Sequence, residues 1–463
     1  MKITRAVAFT LFAVLFGLAA GFPSWSATTR PAVDLDVRLA APYALAGPSQ
    51  TAYLRVGLTG VDRGRGRRAP VNVAIVLDRS GSMSGEKIEE AKRGAIAALD
   101  RLGPEDIVSV VTYNNTVDVL VPATKLADRQ SIYARIRSIG TGGNTALFAG
   151  VSKGAAELRK FLDAGRVNTL ILLSDGLANV GPQSPGELAD LGSSLAREGI
   201  AVTTVGLGLS YNEDLMTRLA MSSDGNHFFV EESSDLEYAF ATEFGDALST
   251  VAQGVTIRIE CPPGVRPVRV LGRKAQIQGS KVFASLNQVF RDQTRYLLLE
   301  VELAPGYAGQ SRRVGDVQVQ YRDLATGRST QTNAHASVAF TRDSALVEQR
   351  TNRDVMIDVV SQIGRANNEL AMALRDQGKI EESRAAYNSN SEYLLKNAVE
   401  LGSVQLDQEA TANVIAGENL EGEAWKRERK VQVQLQMKGA TQRAPILRED
   451  DKKKETKKSK KDD

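Results

Sequence analysis

A short apolar run, Val71–Leu77, constrains this chain most, because it ends directly in the polar segment Asp78-Arg-Ser-Gly-Ser82. A run of this length that is rich in β-branched residues predicts a strand buried on both faces, as in a parallel sheet. A helical pattern begins after Gly85, so one carboxylate and two hydroxyls follow the carboxyl end of the strand. Open α/β sheets bind ligands at that edge, and hard oxygen ligands suit Mg²⁺, Mn²⁺ or Ca²⁺.

Two later segments support the same site. Asn168–Ser174 is a second strand-like apolar run, and it also ends at a carboxylate, Asp175. Between the two runs, the glycine-rich segment Gly140–Thr145 precedes a helical pattern that starts at Ala146. The sequence therefore predicts oxygen ligands from three loops at one edge of a parallel sheet.

Together these residues resemble the metal-ion-dependent adhesion site of the von Willebrand factor type A domain family, whose pattern is Asp-x-Ser-x-Ser, a distant Thr and a distant Asp. The matching residues are Asp78, Ser80, Ser82, Thr145 and Asp175. The resemblance implies a Rossmann-like, doubly wound and mostly parallel sheet with helices on both faces. It also implies that these five residues hold a divalent cation, with Mg²⁺ expected first and Mn²⁺ or Ca²⁺ as alternatives. By the same resemblance, the partner is a protein that offers an acidic side chain to the cation.

Two other interpretations of these residues stay open. Asp and Ser after a strand often cap the following helix. A phosphoryl-transfer site fits less well, because the phosphotransferases that use an aspartyl loop need a second Asp where Ser80 stands. The chain also has no Gly-x-x-x-x-Gly-Lys-Ser/Thr loop for a nucleotide.

Residues that commonly carry out catalysis are scarce. The chain has two histidines, His227 and His335, and a single cysteine, Cys261. We expect both histidines to be ordinary strand or surface residues and Cys261 to be a small core residue. No Gly-x-Ser-x-Gly elbow is present, and the five-residue site offers no general base. We therefore expect no enzymatic activity.

The length, the net charge and the first residues limit the number of domains, the kinds of partner and the cellular location that we expect. The 463 residues suffice for two or three domains, and the net charge of +3 gives no sign of nucleic-acid binding. A basic start, Met1–Arg5, followed by an apolar segment, Ala6–Phe22, is typical of a bacterial secretory signal that is cleaved after Ser26 or Ala27. An uncleaved N-terminal anchor is the alternative, and no other segment is long and apolar enough to span a membrane. We expect export to the periplasm or beyond.

The order of the patterns predicts an α/β domain inserted in a β-sandwich and followed by a C-terminal helical hairpin. Two alternating segments, 33–39 and 51–58, have an apolar face and no local partner, so we expect them to pair with strands of residues 255–342. The predicted segments are a signal peptide (1–27), N-terminal strands of the sandwich (28–62), an Arg/Gly linker (63–70), the α/β domain (71–249), the β-sandwich (250–342), a helical region (343–440) and a disordered charged tail (441–463).

The C-terminal part follows from a helical pattern that Gly378 interrupts, over residues 344–401. Its turn resembles one tetratricopeptide-type hairpin, which we interpret as a packing appendage because one hairpin is not an array. The segment from Arg448 to Asp463 has no apolar residue to bury, so it is predicted to be disordered.

These features favour an exported, metal-dependent protein-binding module with a role in adhesion or assembly. A structural or assembly subunit of an envelope complex, in which the cation only stabilises loops, is the second hypothesis. A hydrolase is the third.

Overall fold

Three β-sheets organise the part of the chain that the computed structural model describes, which is residues 30–64 and 68–442. The predicted signal peptide and residues 443–463 of the predicted tail lie outside the described residues. Within the described part, no helix combines the length and the apolar character that a membrane crossing needs.

The chain begins with strands that belong to a sheet completed much later. They are β1 (Val33–Leu39), β2 (Tyr43–Leu45) and β3 (Gln50–Gly60). Strands β1 and β3 pair antiparallel, with Val37 opposite Val56. The sequence predicted β1 and β3; the three-residue β2 is too short to show an alternating pattern.

An α/β unit follows. Its strands are β4 (Val71–Asp78), β5 (Ile107–Tyr113), β6 (Val117–Lys125), β7 (Val167–Ser174), β8 (Ile200–Leu207) and β9 (His227–Val230). Its helices are α1 (Glu86–Asp100), α2 (Arg129–Arg137), α3 (Leu147–Arg159), α4 (Pro185–Arg197), α5 (Glu213–Ser222) and α6 (Leu236–Ser249). The strand order is β6-β5-β4-β7-β8-β9, and every pair is parallel except β5 with β6. The predicted doubly wound, mostly parallel sheet is confirmed.

Helices cover both faces of this sheet, which explains why its central strands are mostly apolar and buried at every position. On β4, Ile75 packs in one core with Ile88 of α1, whereas Val76 packs in the opposite core with Val151 of α3. All eight residues of β4 and all eight of β7 are buried. Because β4 and β7 are adjacent and parallel, their carboxyl ends lie side by side.

The strands that follow complete a β-sandwich. They are β10 (Thr250–Glu260), β11 (Val265–Leu271), β12 (Gln276–Gln278), β13 (Lys281–Phe290), β14 (Thr294–Leu303), β15 (Ser311–Asp323) and β16 (Ser329–Thr341). One sheet has the order β1-β3-β14-β11 and the other β12-β13-β10-β15-β16-β2. Strand β3 pairs with β14 from Thr59–Thr294 to Gln50–Leu303. The expected pairing of early with late strands is therefore confirmed, and the α/β unit is inserted between β3 and β10.

Five helices end the described chain, in the part that the sequence predicted to be helical. They are α7 (Ser344–Gln349), α8 (Arg353–Asp376), α9 (Ile380–Leu401), α10 (Val404–Glu418) and α11 (Gly422–Thr441). The α8–α9 hairpin turns at Gly378, whose φ of 80° suits glycine. The sequence did not give the bounds of α11, because this helix buries Lys430 and Gln432 along with Val433 and therefore shows no regular apolar stripe.

A charged junction joins the α/β unit, the sandwich and α11. Asp224, just after α5, accepts hydrogen bonds from both terminal nitrogens of Arg295, each at 2.9 Å, from Arg273 at 3.3 Å and from the Asn287 amide at 2.6 Å. Arg295 also donates to the carbonyl of Thr441 at 3.1 Å. Burial alone would raise the pKa of Asp224, but the two guanidinium groups hold that pKa well below its usual value.

Helix α11 also covers the edge of the α/β sheet. The amide of Phe229 in the edge strand β9 donates to the Gln434 side chain at 3.3 Å. Lys430 donates to the carbonyl of Tyr211 at 3.0 Å and pairs with Glu213 at the start of α5. The unpaired edge of β9 is thereby closed by the chain itself.

Candidate metal centre

Two aspartates lie at the carboxyl ends of neighbouring strands. Asp78 is the last residue of β4, and Asp175 directly follows β7. Both are completely buried, with 0% exposure. The register of β4 with β7, which places Leu77 opposite Leu173, brings the two carboxylates to the same edge of the sheet.

Asp78 forms its hydrogen bonds with neutral groups. The amide of Ser80 donates to Oδ1 at 2.8 Å, and the hydroxyl of Ser174 donates to Oδ2 at 2.8 Å. In the described part of the chain, Asp175 forms an ion pair with Lys87, whereas Asp78 has no cationic partner. Burial raises the pKa of Asp78, and the negative charge of Asp175 adds to the effect, although the Ser80 and Ser174 hydrogen bonds oppose it.

Three hydroxyls surround the two carboxylates. The Ser80 and Ser82 hydroxyl oxygens lie 3.1 Å apart, and Ser82 donates to Asp175 Oδ1 at 2.6 Å. A Cβ at Gly176 would lie 3.4 Å from the Ser82 hydroxyl and 3.5 Å from the Thr145 hydroxyl. The fold therefore brings all five residues that the sequence singled out to one place. Their role as metal ligands stays a prediction.

None of these five side chains forms a capping hydrogen bond with a following helix. Helix α1 is preceded by Gly85 and has no side-chain cap. Helix α3 is preceded by Ala146, again without a side-chain cap. The interpretation of these polar residues as caps for the following helices is therefore wrong.

Backbone hydrogen bonds hold two of the three loops together. The amide of Gly81 donates to the carbonyl of Gly143 at 3.0 Å, and the amide of Gly142 donates to the carbonyl of Arg79 at 2.8 Å. Gly143 has a φ of 85°, and a Cβ there would meet the Asn115 side chain at 2.1 Å. Only glycine fits this close approach, which explains the glycine-rich segment.

The sequence missed three residues that build the site: Ser174, Asn179 and Lys87. The side-chain oxygen of Asn179 accepts a hydrogen bond from the backbone amide of Thr145 at 2.8 Å. The backbone amide of Asn179 donates to the Thr145 carbonyl at 3.2 Å, so Asn179 fixes the third loop. Lys87 of α1 lies 2.5 Å from Asp175 Oδ2. One signal was available for Lys87, since a cation in the first turn of a helix opposes the helix dipole.

The donor set fits a hard divalent cation. It consists of two buried carboxylates and three hydroxyls, which are the oxygen ligands that Mg²⁺, Mn²⁺ and Ca²⁺ prefer. The buried Asp78 carboxylate, which has no cationic partner in the described chain, supplies charge that a metal would balance. Within residues 30–64 and 68–442, no three His, Cys, Asp or Glu side chains are grouped to hold a metal. A metal at this edge would thus depend on the hydroxyls.

The histidines and the cysteine occupy structural positions. His227 is buried in β9, where Nδ1 lies 2.9 Å from the Thr204 hydroxyl and Nε2 lies 3.2 Å from the Tyr211 hydroxyl. Burial lowers the pKa of His227 to about 3. His335 is exposed on β16. Cys261 is buried in the sandwich core, and burial raises the pKa of its thiol to about 11. Both histidines thus lie in strands and Cys261 lies in a core, as the sequence predicted.

Comparison with known proteins agrees with the fold. A protein of Synechocystis sp., the uncharacterized protein sll0103, is 28% identical over 308 residues, which cover 64% of this chain and 72% of that protein. The uncharacterized protein YfbK of Escherichia coli is 28% identical over 216 residues, which cover 46% of this chain and 38% of YfbK. The chain thus spans well under two thirds of the second relative.

A solved structure and a family model identify the α/β unit. The structure of a von Willebrand factor type A protein from Catenulispora acidiphila superimposes with a TM-score of 0.65 at 18% identity, covering 83% of this chain and 90% of that one. This similarity shows the shared fold. The model of the von Willebrand factor type A domain matches residues 72–242. The α/β unit that carries the candidate metal centre is therefore a von Willebrand factor type A domain.

Proposed function

We propose that this protein is an exported module that binds a protein partner in a divalent-cation-dependent way, for adhesion or assembly. The observation that carries the proposal is the edge of the sheet itself. There, two fully buried carboxylates lie beside three hydroxyls, and one of the residues that carry them, Ser82, is exposed to solvent. Domains of this family mediate protein interactions, which supports the same function.

The five residues at this edge would have different roles in holding a cation. Asp78 and Asp175 supply the negative charge, while Ser80, Ser82 and Thr145 supply neutral oxygens. A cation held by these residues would supply a Lewis acid for a carboxylate oxygen of the partner. The amide of Ser80 and the hydroxyl of Ser174 hold the Asp78 carboxylate in place before any ligand arrives. The partner we propose is therefore a protein that presents an acidic side chain.

We further propose that the site binds and does not catalyse. Activation of water needs a general base. His227 is shielded within the fold and already hydrogen-bonded on both ring nitrogens. In this proposal both carboxylates serve as ligands, so the Asp175 carboxylate that accepts a hydrogen bond from Ser82 is not free to act as a base.

The second hypothesis, a cation that only stiffens loops, has weaker support. The three loops are already joined by direct hydrogen bonds between Gly81 and Gly143, Gly142 and Arg79, and Thr145 and Asn179. Loops that are fixed in this way gain little order from a metal, whereas a preorganised site is what capture of a partner requires.

The test is partner capture by the full chain. Immobilised protein is exposed to envelope extract with Mg²⁺ and then with chelator, and Asp78→Ala is compared with Asp190→Ala on the exposed surface of α4. We expect a partner that is retained in Mg²⁺ and released by chelator for the parent and Asp190→Ala, and no retention by Asp78→Ala. Retention that ignores both the chelator and Asp78→Ala would contradict the proposal. Detection of the chain in the periplasmic or external fraction tests export.

A further inference from the structure

Lys87 occupies an unusual position beside the candidate metal centre. It is the second residue of α1, and its ammonium lies 2.5 Å from Oδ2 of Asp175, which is completely buried. The Lys87 side chain itself is 37% exposed at the rim of the site. One side chain therefore connects solvent to the buried carboxylate.

The other cations of α1 behave differently. Lys92 pairs with Glu89 at 2.7 Å, and Arg93 pairs with Glu90, both one turn away on the same helix. Lys87 also has acidic neighbours in its own first turn, Glu86 and Glu89. It reaches instead across the loops to Asp175. A positive charge at a helix N-terminus is unfavourable by itself, so the contact with Asp175 accounts for this placement.

The ion pair occupies one carboxylate oxygen of Asp175, which is one of the five predicted metal ligands. Asp175 Oδ1 accepts from Ser82 at 2.6 Å and Oδ2 accepts from Lys87, so both oxygens of Asp175 have a partner. A divalent cation that Asp175 binds, directly or through water, would stand close to the Lys87 ammonium. Charges of the same sign repel strongly in a partly buried site.

We propose that Lys87 is a built-in counter-ion of Asp175 that competes with the divalent cation and so lowers the affinity of the site. The inference rests on the proposed function, because it concerns the same site. Binding of the metal and withdrawal of Lys87 from Asp175 are one coupled event. Since the competitor is fixed in the chain, affinity is set by Lys87 and not by the five ligands alone.

Calorimetric titration of the full chain with MgCl₂ and MnCl₂ tests the proposal. Lys87→Met keeps the length of the side chain and removes its charge, Lys87→Arg keeps the charge, and Lys92→Met is the matched control on the same helix. We expect Lys87→Met to bind both cations at least about tenfold more tightly than the parent. Lys87→Arg and Lys92→Met should stay near the parent affinity.

Thermal melting supplies a second readout that a purely structural role would not produce. Without cations, Lys87→Met should melt below the parent, because Asp175 has lost its counter-ion. With saturating Mg²⁺, its melting temperature should rise by more than that of the parent. Lys87→Gln serves the same purpose if the Met variant fails to fold.

The outcomes separate this inference from the proposed function. If the parent binds Mg²⁺ and Lys87→Met binds it equally or more weakly, the inference is overturned and the proposed function stands. If only Lys87→Met binds, Lys87 replaces the metal in the native chain, which supports the inference and removes the cation from the proposed function. If neither binds, both are overturned.

Discussion

Asp78 and Asp224 are two shielded aspartates of the same domain whose charges are balanced in opposite ways. Asp78, at the end of β4, has only neutral hydrogen-bond donors, and burial together with Asp175 raises its pKa. Asp224, after α5, is held between Arg295 and Arg273, which keep its pKa low despite burial. The first carboxylate has no cationic partner in the described chain, whereas the second has two.

This difference separates a ligand site from a structural joint. A buried carboxylate that is fully paired stabilises the fold, and its removal leaves buried positive charges without a partner. A buried carboxylate without a cation is a cost to the fold unless something binds there. The comparison therefore predicts that variants at Asp224 change stability, whereas variants at Asp78 change binding.

The largest effect is expected at the joint. Asp224→Ala leaves Arg295, whose side chain is 1% exposed, without its counter-charge. Breaking a buried ion pair in this way costs about 3–5 kcal/mol of the free energy of unfolding. Urea unfolding of the parent and the variant measures the loss, with Asp190→Ala as the control. A loss below about 1 kcal/mol, the range of surface pairs, would break the comparison.

The next effect is expected in cation binding. Asp78→Ala removes one of two charged ligands and should weaken Mg²⁺ or Mn²⁺ binding by about a hundredfold or more. The fold should survive, and the cation-free variant should melt at the parent temperature or slightly above, because repulsion between Asp78 and Asp175 is relieved. Titration calorimetry and circular dichroism measure the two quantities. Equal Mg²⁺ affinity in parent and variant would show that the adhesion-type site is wrong.

A separate effect is expected from pH, and it extends the comparison to His227. In the folded chain His227 stays neutral down to a pKa of about 3, whereas an unfolded histidine binds its proton near pH 6.5. The unfolded state therefore binds more protons below pH 6.5, and stability falls as the pH is lowered, by about 1.4 kcal/mol per unit for one such group. His227→Gln should flatten the dependence between about pH 6.5 and pH 4.

Asp224 acts in a lower window. Its folded pKa is depressed, so its contribution is present above the unfolded pKa of about 3.9 and is lost as the pH falls further. Chemical unfolding at a series of pH values, with parent, His227→Gln and Asp224→Asn, separates the two windows. An unchanged slope in His227→Gln above pH 4 would contradict the assignment to His227.

The smallest effects are expected from the hydroxyls. Ser80→Ala and Ser82→Ala should weaken cation binding by about tenfold or less, because a hydroxyl is a neutral ligand. Thr145→Ala should act mainly on partner capture, if Thr145 coordinates chiefly when the partner is engaged, as the family resemblance implies. Calorimetry and capture on the same three variants distinguish these roles. A serine variant as defective as Asp78→Ala would contradict this ranking.

The sequence by itself determined the α/β unit and the five residues at its edge. Strands buried on both faces appear as mostly apolar runs, and Asp78 and Asp175 lie at the ends of two such runs. The early strands β1 and β3 could also be predicted, because their alternating pattern gives each an apolar face. With no local partner to cover that face, they must pair with strands elsewhere in the chain. These features are local in the chain, so a pattern of a few residues reveals them.

Only the tertiary structure decided which charges meet. Lys87 and Asp175 are 88 residues apart, and Arg295 and Asp224 are 71 apart. No local sequence pattern predicts such pairs, since each pair forms only when separate helices, strands and loops pack together. Helix α11 is the same case, because its buried Lys430 finds its partners on α5 and not in its own sequence. The residues of the candidate site can thus be found from the sequence, whereas the charge balance around them is decided by the fold.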